Sequence, residues 1–374
     1  AAVAVGRLGS AAVEPLLADL ADLSVEVRRS AAAALRVIGP EAVAPLTAAL
    51  TGRGDRPALA AELLGEIGDR SAVAPLVTAL DAPEPELRKA AVAALGRLGD
   101  PSAVPALVAS LDSPTWGLPQ AAASALGAIG DVRAVDALVS ALDAPSEWVR
   151  RTASEALGAL GDRRAVRALM GVLADQSAQV RRVAALALGA IGDPDAGVAL
   201  ASLLGPLPDS IPGASRPADV AAEGTASSGT PRVAAEVSGD PVPAVRCAAA
   251  SALGDIGDVR AAPALIASLS DGDVQVRAIA VWALGQVGNG HALEPLVVAL
   301  GDRSSEVREA AVDALTGLGR VAVPRLVSLA EDGPRYVRCR AAQALGRIGD
   351  PDAVAPLVTM LSGPDEWLRR AAAS

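Results

Sequence analysis

The sequence predicts an all-α protein, an α-solenoid of about eleven helical hairpins, and three observations support this fold class. Near-identical phrases recur along the chain, such as "ALGAIGD" at 125–131 and again at 187–193. The glycines that close these phrases are 29–31 residues apart, except for one interval of 65. Apolar residues make up 51% of the chain and aromatic residues only 1%, so Ala, Leu, Val and Ile must form the interior. A fixed period of this length is typical of stacked repeats rather than of one closed core.

One helix of each repeat ends at the closing glycine, and we call these helices the anchored helices. Apolar residues recur 12, 8, 5, 4 and 1 positions before the glycine, as in the stretch from Val149 to Leu160, and these steps lie on one helical face. Glycine adopts the left-handed conformation that terminates a helix. The anchor glycines are Gly9, Gly39, Gly68, Gly99, Gly130, Gly161, Gly192, Gly257, Gly288, Gly319 and Gly349.

The second helix of each repeat follows the anchor glycine and carries an "AVxPL" pattern, so we call these the proline-bearing helices. An aspartate after the anchor is expected to cap the start of this segment, as at Asp69, Asp100, Asp131, Asp162 and Asp258. A proline in the first turn, as at Pro105, costs little because that amide has no helical partner. Neither helix can bury its apolar face alone, so the hairpins are predicted to stack.

An aspartate six residues before an arginine marks the turn between the two helices of a hairpin. A carboxylate and a guanidinium that recur at one height in each layer predict a ladder, in which each arginine bonds to the aspartate of its own or an adjacent repeat. We interpret these arginines as scaffold rather than ligand contacts, because their position in the repeat never varies. The ladder pairs are Asp175 and Arg181, Asp240 and Arg246, Asp271 and Arg277, Asp302 and Arg308, and Asp332 and Arg338.

The stretch "DRRAVRALMGVLADQSAQVRRVAALALGAIG" at 162–192 resembles a HEAT repeat of the phycobilin-lyase-like kind, and the resemblance covers nearly the whole chain. It implies a right-handed superhelix whose concave side is lined by the anchored helices. Two repeats depart from the pattern, because Pro57 and Pro119 stand at the ladder arginine site. They predict a local break in the ladder and a bend in the N-terminal third. A repeat fold of this kind does not by itself define a function.

The expected organisation is one continuous solenoid, truncated at both ends and made of residues 1–204 and 240–374. Residues 205–239 between them are rich in Pro, Gly, Ser and Thr and have no helical period. This insertion falls in the turn of one hairpin. It is interpreted either as a tolerated surface loop or as a binding flap over one edge of the solenoid.

The residues that would carry catalysis are scarce. His291 is the only histidine, which excludes Ser-His-Asp and Cys-His arrangements within this sequence. With Glu294 it makes a single His-Glu pair, whereas the HEAT-fold iron hydroxylases that make hypusine carry several. We therefore expect no catalytic residue, no metal site and no cofactor. The "GxxG" pairs, as at Gly127 and Gly130, follow helices rather than strands and are interpreted as helix terminators.

The expected cellular setting is the cytoplasm. Cys247 and Cys339 occupy the same repeat position three periods apart, too far for a disulfide, and free thiols indicate a reducing compartment. No apolar run reaches the roughly 18 residues that a membrane helix requires.

Comparing the repeats with one another shows which sites vary, and these sites are free of scaffold duties. They lie 13, 10, 6 and 2 positions before the anchor, on a helical stripe opposite the buried one, and four of the five aromatic residues lie there. Trp, Tyr and Arg are enriched at binding hot spots, although drift on an unconstrained face is the alternative. Trp116 is off the stripe and is expected to pack locally. The predicted partner-binding residues are Trp148, Arg151, Arg182, Trp282, Gln286, Tyr336, Arg347, Trp367 and Arg370.

Two functions follow from these patterns. The first is a noncatalytic scaffold that binds a protein or peptide on its concave face. The second is implied by the resemblance and is a phycobilin lyase or isomerase subunit that handles a bilin and its acceptor protein. A HEAT-like DNA glycosylase is disfavoured by the net charge of −10, because nucleic-acid binders concentrate Lys and Arg on one face. The oligomeric state is left open.

Overall fold

The computed structural model describes residues 9–22, 24–52, 56–205, 239–288 and 290–373, and within these ranges it contains helices and turns but no strand. The chain divides into two compact units, Ala1–Val172 and Leu173–Ser374. The all-α prediction is confirmed, and each unit is built of hairpins stacked as in an α-solenoid.

In the first unit, each even-numbered helix is an anchored helix and each odd-numbered helix is a proline-bearing helix. An anchored helix packs against the proline-bearing helix before it and against the next anchored helix. The helices are α1 (Val13–Asp19), α2 (Val25–Ile38), α3 (Val43–Ala49), α4 (Arg56–Ile67), α5 (Val73–Ala79), α6 (Pro85–Leu98), α7 (Val104–Ser110), α8 (Leu118–Ile129), α9 (Val135–Ser140), α10 (Glu147–Leu160) and α11 (Val166–Val172).

The second unit follows the same scheme, again with anchored helices carrying even numbers and packing against one another in chain order. Its helices are α12 (Ala178–Ile191), α13 (Gly197–Leu204), α14 (Pro243–Ile256), α15 (Ala262–Ser268), α16 (Val274–Val287), α17 (Leu293–Ala299), α18 (Ser305–Leu318), α19 (Val323–Asp332), α20 (Arg335–Ile348), α21 (Val354–Leu361) and α22 (Glu366–Ala373).

The helix ends follow the predicted local chemistry. All eleven anchor glycines have a left-handed φ, between 58° and 80°. At Gly161, for example, the amide donates to the carbonyl of Leu157 at 3.2 Å and closes α10. The predicted caps are also confirmed: the side chains of Asp69, Asp100, Asp131, Asp162 and Asp258 each accept the amide two residues later. The element they cap is a turn of 3₁₀ helix, which then leads into the proline-bearing α-helix.

The buried face of the anchored helices is the predicted one. In α10, Val149, Ala153, Ala156 and Leu157 are buried, and Leu160 at the end of the helix is half-buried. Because most of these side chains are small, the anchored helices pack closely enough for main chain to meet side chain.

The first glycine of six "GxxG" pairs serves this close packing, whereas at Gly346 no atom lies within 4 Å of the Cβ position. A Cβ on Gly127 would lie 3.0 Å from the Cα of Ala156 on the next anchored helix, and one on Gly254 would lie 3.0 Å from the Cα of Ala283. The interpretation of both glycines as helix terminators is therefore wrong for the first one, which is a contact point between repeats. The same contact to the next repeat's alanine occurs at Gly65, Gly96, Gly189 and Gly285.

The insertion prediction falls mostly on residues 206–238, which lie outside the described residues, so the choice between loop and flap and the boundaries at 204 and 240 stay predictions. The flanking residues are described. The amide of Asp240 donates to the carbonyl of Leu203 at 2.7 Å. The insertion thus leaves and re-enters the hairpin of α13 and α14 at one point, which is the geometry a hairpin turn requires.

Candidate functional site

The ladder arginines make one constant contact, with main chain. In all of them except Arg338, Nη1 donates to the carbonyl six residues earlier, for example from Arg277 to Asp271 at 2.9 Å and from Arg308 to Asp302 at 2.7 Å. Arg88 and Arg369 make the same bond to Ala82 and Gly363, where no aspartate is present. The contact that stabilises the hairpin turn therefore does not depend on the aspartate side chain. It recurs at Arg28, Arg150, Arg181 and Arg246.

The aspartate side chains serve the preceding repeat. The Nε and Nη2 atoms of Arg246 donate to both carboxylate oxygens of Asp271, each at 2.8 Å, and Arg277 grips Asp302 in the same way at 2.9 and 3.0 Å. Arg181 reaches Asp240 across the insertion with bonds of 2.5 and 3.0 Å. Asp240, Asp271 and Asp302 thus each supply a carbonyl to their own repeat and a carboxylate to the arginine of the repeat before.

These ion pairs are withdrawn from water. Only 4% of Arg277 is exposed, and the side chain of Asp302 is 13% exposed. Burial raises the pKa of Asp302, but the hydrogen bonds from Arg277 and the Ser304 amide lower it further, so the net pKa lies below the ordinary value. Asp271 behaves in the same way, with burial opposed by Arg246 and the Asp273 amide. The ladder carboxylates are therefore held in the charged form.

The last predicted pair departs from the ladder. Asp332 is the final residue of α19, a helix of ten residues where its counterpart α17 has seven, so its main chain is helical rather than part of the turn. Among the described residues no hydrogen bond or ion pair joins Asp332 to Arg308 or Arg338. Arg338 instead donates from Nε to the carbonyl of Ala330 at 2.9 Å. The assignment of Asp332 and Arg338 as a ladder pair is therefore wrong.

In the turn before Pro119 a neutral contact takes the place of a ladder ion pair. Arg88 donates from Nη2 to the hydroxyl of Thr115 at 2.6 Å, in the turn that leads to α8. The hydroxyl group thus replaces the carboxylate that Arg88 would grip. Pro119 itself removes the arginine of the next rung, which this bond does not restore. The predicted bend in this part of the chain stays a prediction.

Four aromatic side chains of the predicted partner-binding set are exposed, to different degrees. Trp148, Tyr336 and Trp367 expose 54%, 56% and 64% of their surface. Trp282 is 38% exposed, and its ring lies directly over Gly254 of the preceding anchored helix. Trp282 therefore has a packing role on its inner edge that the repeat comparison did not reveal.

Cationic groups stack on three of the tryptophan rings. The guanidinium carbon of Arg151 lies 4.8 Å from the ring centre of Trp148, and that of Arg370 lies 5.9 Å from Trp367. The third pair is Lys89, whose Nζ is 5.5 Å from the ring centre of Trp116. A cation over an indole face stabilises both groups and fixes the orientation of the ring.

Trp116 is 88% exposed, so the expectation that it packs locally is wrong. The left-handed Gly117 precedes α8, which is two residues shorter than α10, and the ring lies one position earlier than Trp148 when counted from the anchor. Because of this offset, Trp116 does not fall on any of the variable positions that were counted back from the anchor glycines. Its place at the start of an anchored helix was the signal available in the sequence.

The remaining predicted contact residues differ in whether their side chains already bond to other residues of the protein. Arg347 donates to Asp313 and, at 3.1 Å, to Glu309 on the preceding anchored helix, so its charge is already compensated. Arg182 makes a contact of 3.3 Å with Gln179 on its own helix. Gln286 is exposed. Arg347 is thus the predicted contact that the structure ties most firmly into the scaffold.

The described residues hold no cluster of three or more His, Cys, Asp or Glu placed to bind a metal ion. Cys247 and Cys339 are free thiols, and burial raises the pKa of each. No helix in the part of the chain that is described has the length and apolarity to cross a membrane.

Hairpins of anchored and proline-bearing helices, stacked on a period of about 31 residues, define an α-helical repeat protein. The chain belongs to the HEAT-repeat family. The HEAT repeats profile matches residues 55–126, 100–155, 135–211, 263–333 and 323–374. The PBS lyase HEAT-like repeat profile matches residues 27–52 and 245–271, in agreement with the resemblance found in the sequence.

Three solved structures are similar to parts or most of the chain. The complex of CpcE and CpcF of phycocyanin lyase from Nostoc sp. PCC7120 is 33% identical, with 50% of this chain and 80% of that chain covered and a TM-score of 0.37. An engineered protein is 22% identical, with 96% and 97% covered and a TM-score of 0.46. Human deoxyhypusine hydroxylase in complex with glycerol is 22% identical, with 83% and 96% covered and a TM-score of 0.31. No curated protein matches the chain.

Proposed function

We propose that this chain is a noncatalytic scaffold that binds a protein or peptide segment on the surface of its anchored helices. The observation that carries the proposal is the pairing of exposed tryptophans with stacked cations, at Trp148 with Arg151 and at Trp367 with Arg370. A ring held in this way offers flat apolar area beside hydrogen-bond donors, at little cost in side-chain entropy on binding. Trp, Tyr and Arg are the residue types that dominate binding energy in protein interfaces.

The proposed contact set is revised by the geometry of the side chains. Arg347 is removed, because Asp313 and Glu309 already neutralise it. Trp116 is added, because its ring is the most exposed of the three that carry a stacked cation. Lys89 holds that ring but is not added, because its charge is paired with Glu86 at 3.0 Å. Trp282 contributes only the edge that faces away from Gly254. The set is Trp116, Trp148, Arg151, Arg182, Trp282, Gln286, Tyr336, Trp367 and Arg370.

A protein partner suits this surface better than a nucleic acid. The chain has 43 acidic and 33 basic residues, and the arginines that stack on the rings are matched by many carboxylates elsewhere. A phosphate backbone requires a face of uncompensated positive charge. Free thiols at Cys247 and Cys339 fit a reducing, cytoplasmic setting, which is part of the proposal.

The test compares two triple variants with the native chain in affinity capture from the source cells, read by quantitative mass spectrometry. Trp148→Ala, Tyr336→Ala and Trp367→Ala together remove exposed rings from the proposed surface. The control replaces equally exposed apolar side chains outside the anchored helices, Val198, Val298 and Val321, which are 63%, 72% and 64% exposed, by alanine. Partners kept by the control and lost by the aromatic variant support the proposal. Equal capture by all three chains contradicts it.

The alternative function is a phycobilin lyase-like subunit that handles a bilin and its acceptor protein. It is favoured by the two segments that match the PBS lyase HEAT-like repeat. The assay is the absorbance spectrum of a linear tetrapyrrole titrated with the chain. A saturable spectral shift that the aromatic triple variant abolishes would favour the lyase-like function. An unchanged spectrum would leave the scaffold as the better account.

A further inference from the structure

At two positions within the described residues a ladder arginine is present and a glycine stands where the carboxylate it would grip is expected: Gly333 after Arg308 and Gly363 after Arg338. The second of these borders a cavity. Arg246 and Arg277 each bind an aspartate 25 residues further along the chain. The residue 25 positions after Arg338 is Gly363. Arg369 donates from Nη1 to the carbonyl of Gly363 at 2.9 Å, which is the bond that other ladder arginines make to the aspartate of their own repeat. Gly363 therefore occupies a ladder aspartate position without a side chain.

A cavity of about 340 Å³ opens at this position, and Arg338 lies in its wall. Arg338 is half-buried and uses Nε on the carbonyl of Ala330. Its Nη1 and Nη2 atoms make no hydrogen bond or ion pair within the described residues. The remaining wall is largely apolar and includes Pro356, Met360 and Leu368, all three of them buried.

We propose that this cavity binds the carboxylate of a ligand that also carries a short aliphatic group. The intact rungs of the ladder show which chemistry an arginine at this position takes, because Arg246 and Arg277 each hold a carboxylate through Nε and Nη2. Nε of Arg338 is already bonded to the carbonyl of Ala330, so Arg338 would hold a carboxylate through Nη1 and Nη2. A bidentate fork of this kind matches the planar geometry of a carboxylate. Met360 and Leu368 supply the apolar contact, and the volume is at the lower end of the roughly 300–1,000 Å³ usual for small-molecule sites.

Two acidic side chains also line the cavity, and they differ in availability. Asp365 is engaged, because both its oxygens accept bonds from Arg335, at 2.6 and 2.9 Å, and one of them also accepts the Trp367 amide. Glu331 is exposed and forms no ion pair with Arg338 among the described residues. Glu331 is therefore the internal competitor for the guanidinium. The proposal uses none of the aromatic contacts and does not depend on the proposed function.

Methionine-methyl NMR on the full chain tests the site directly. The chain has two methionines, so labelling with ¹³C at the methyl carbon gives Met360 in the cavity wall and Met170 in α11 as an internal reference. We expect 4-methylpentanoate to shift the Met360 signal saturably, with a Kd on the order of 1 mM, and to leave Met170 unmoved. The neutral isostere 4-methylpentanamide should produce no such shift. Equal shifts by acid and amide, or no saturation by roughly 20 mM acid, would overturn the proposal.

Four variants test whether Arg338 and the missing carboxylate at Gly363 account for the binding. Arg338→Gln should weaken binding about tenfold or more, because it removes a charged hydrogen-bond donor. Glu331→Gln should leave binding unchanged or strengthen it. Gly363→Asp restores the missing carboxylate: a Cβ there meets no atom closer than 3.4 Å and the backbone is not left-handed, so the side chain fits. It should abolish binding and raise Tm, whereas Gly363→Asn should raise Tm less.

A peptide that ends in leucine identifies the source of the carboxylate. If the peptide with a free C-terminus binds at least as tightly as 4-methylpentanoate and its C-terminal amide does not bind, the site takes a chain terminus. If 4-methylpentanoate binds and neither form of the peptide does, the site takes a small molecule. Binding by Arg338→Gln with native affinity would contradict the assignment for either source.

Discussion

Replacing Arg277 by glutamine tests whether the ladder holds neighbouring repeats together. Arg277 is 4% exposed and donates to both oxygens of Asp302, at 2.9 and 3.0 Å, and to the carbonyl of Asp271 at 2.9 Å. Removing one partner of a buried ion pair costs about 3–5 kcal/mol, because the other charge is left desolvated. We expect about 3 kcal/mol here, since Asp302 keeps its bond from the Ser304 amide.

Native-state hydrogen exchange is the suitable assay, because repeat arrays open locally and need not unfold in one step. In Arg277→Gln the opening free energy of the amides in α16 and α18, measured from their exchange rates, should fall by about 3 kcal/mol. Arg260→Gln is the matched control: its pair with Asp258 lies within one repeat and on the surface, with 69% of the arginine side chain exposed, and no resolvable loss is expected. A loss below about 1 kcal/mol in Arg277→Gln would refute the argument that the ladder stabilises contacts between repeats.

The same variant has a defined pH dependence. In the native chain the pKa of Asp302 lies below its ordinary value, so its stabilising contribution is complete above about pH 4 and is lost as the pH falls through the folded pKa. Without Arg277, burial is opposed only by the Ser304 amide and the weaker attraction of Arg303, and the pKa of Asp302 should rise. The difference in stability between native chain and variant should therefore narrow below about pH 4. A constant difference from pH 7 to pH 3 would show that the charge of Asp302 is not responsible.

Two further predictions concern packing and are checked by Tm. Gly127→Ala should lower the free energy of unfolding by about 1–3 kcal/mol, because the new Cβ would crowd Ala156. Gly317→Ala is the control and should not lower it, because no atom lies within 4 Å of the Cβ position. Equal effects of the two substitutions would contradict the close contact between repeats. Trp282→Ala should lower the free energy of unfolding by about 1–2 kcal/mol, because part of its ring packs on the neighbouring helix, and Trp148→Ala should lower it by less than about 1 kcal/mol. The reverse order would show that the exposed fraction of a tryptophan does not predict its contribution to stability.

The candidate site was only partly accessible to sequence reasoning. Comparing repeats identified Trp148, Tyr336 and Trp367, whose side chains are exposed. It missed Trp116, because a shorter helix shifts that ring by one position. It also included Arg347 without the two carboxylates that neutralise it, since these come from the preceding repeat. Position within one repeat predicts exposure well, but contacts between repeats depend on how the layers are offset.

The sequence by itself determined the features that depend on neighbours along the chain: the period, the glycines that end each helix, the aspartate caps and the buried face of each anchored helix. These features are local, because a few consecutive residues decide helix termination, capping and amphipathicity. Only the tertiary structure decided which repeat the carboxylates of Asp240, Asp271 and Asp302 serve, and that the first glycine of six "GxxG" pairs meets an alanine of the next anchored helix. It also decided that Arg338 and Gly363 line the same cavity. The reason is physical: such contacts join residues about 25–30 positions apart, and their partners are set by the distance and offset between stacked helices, which no single repeat encodes.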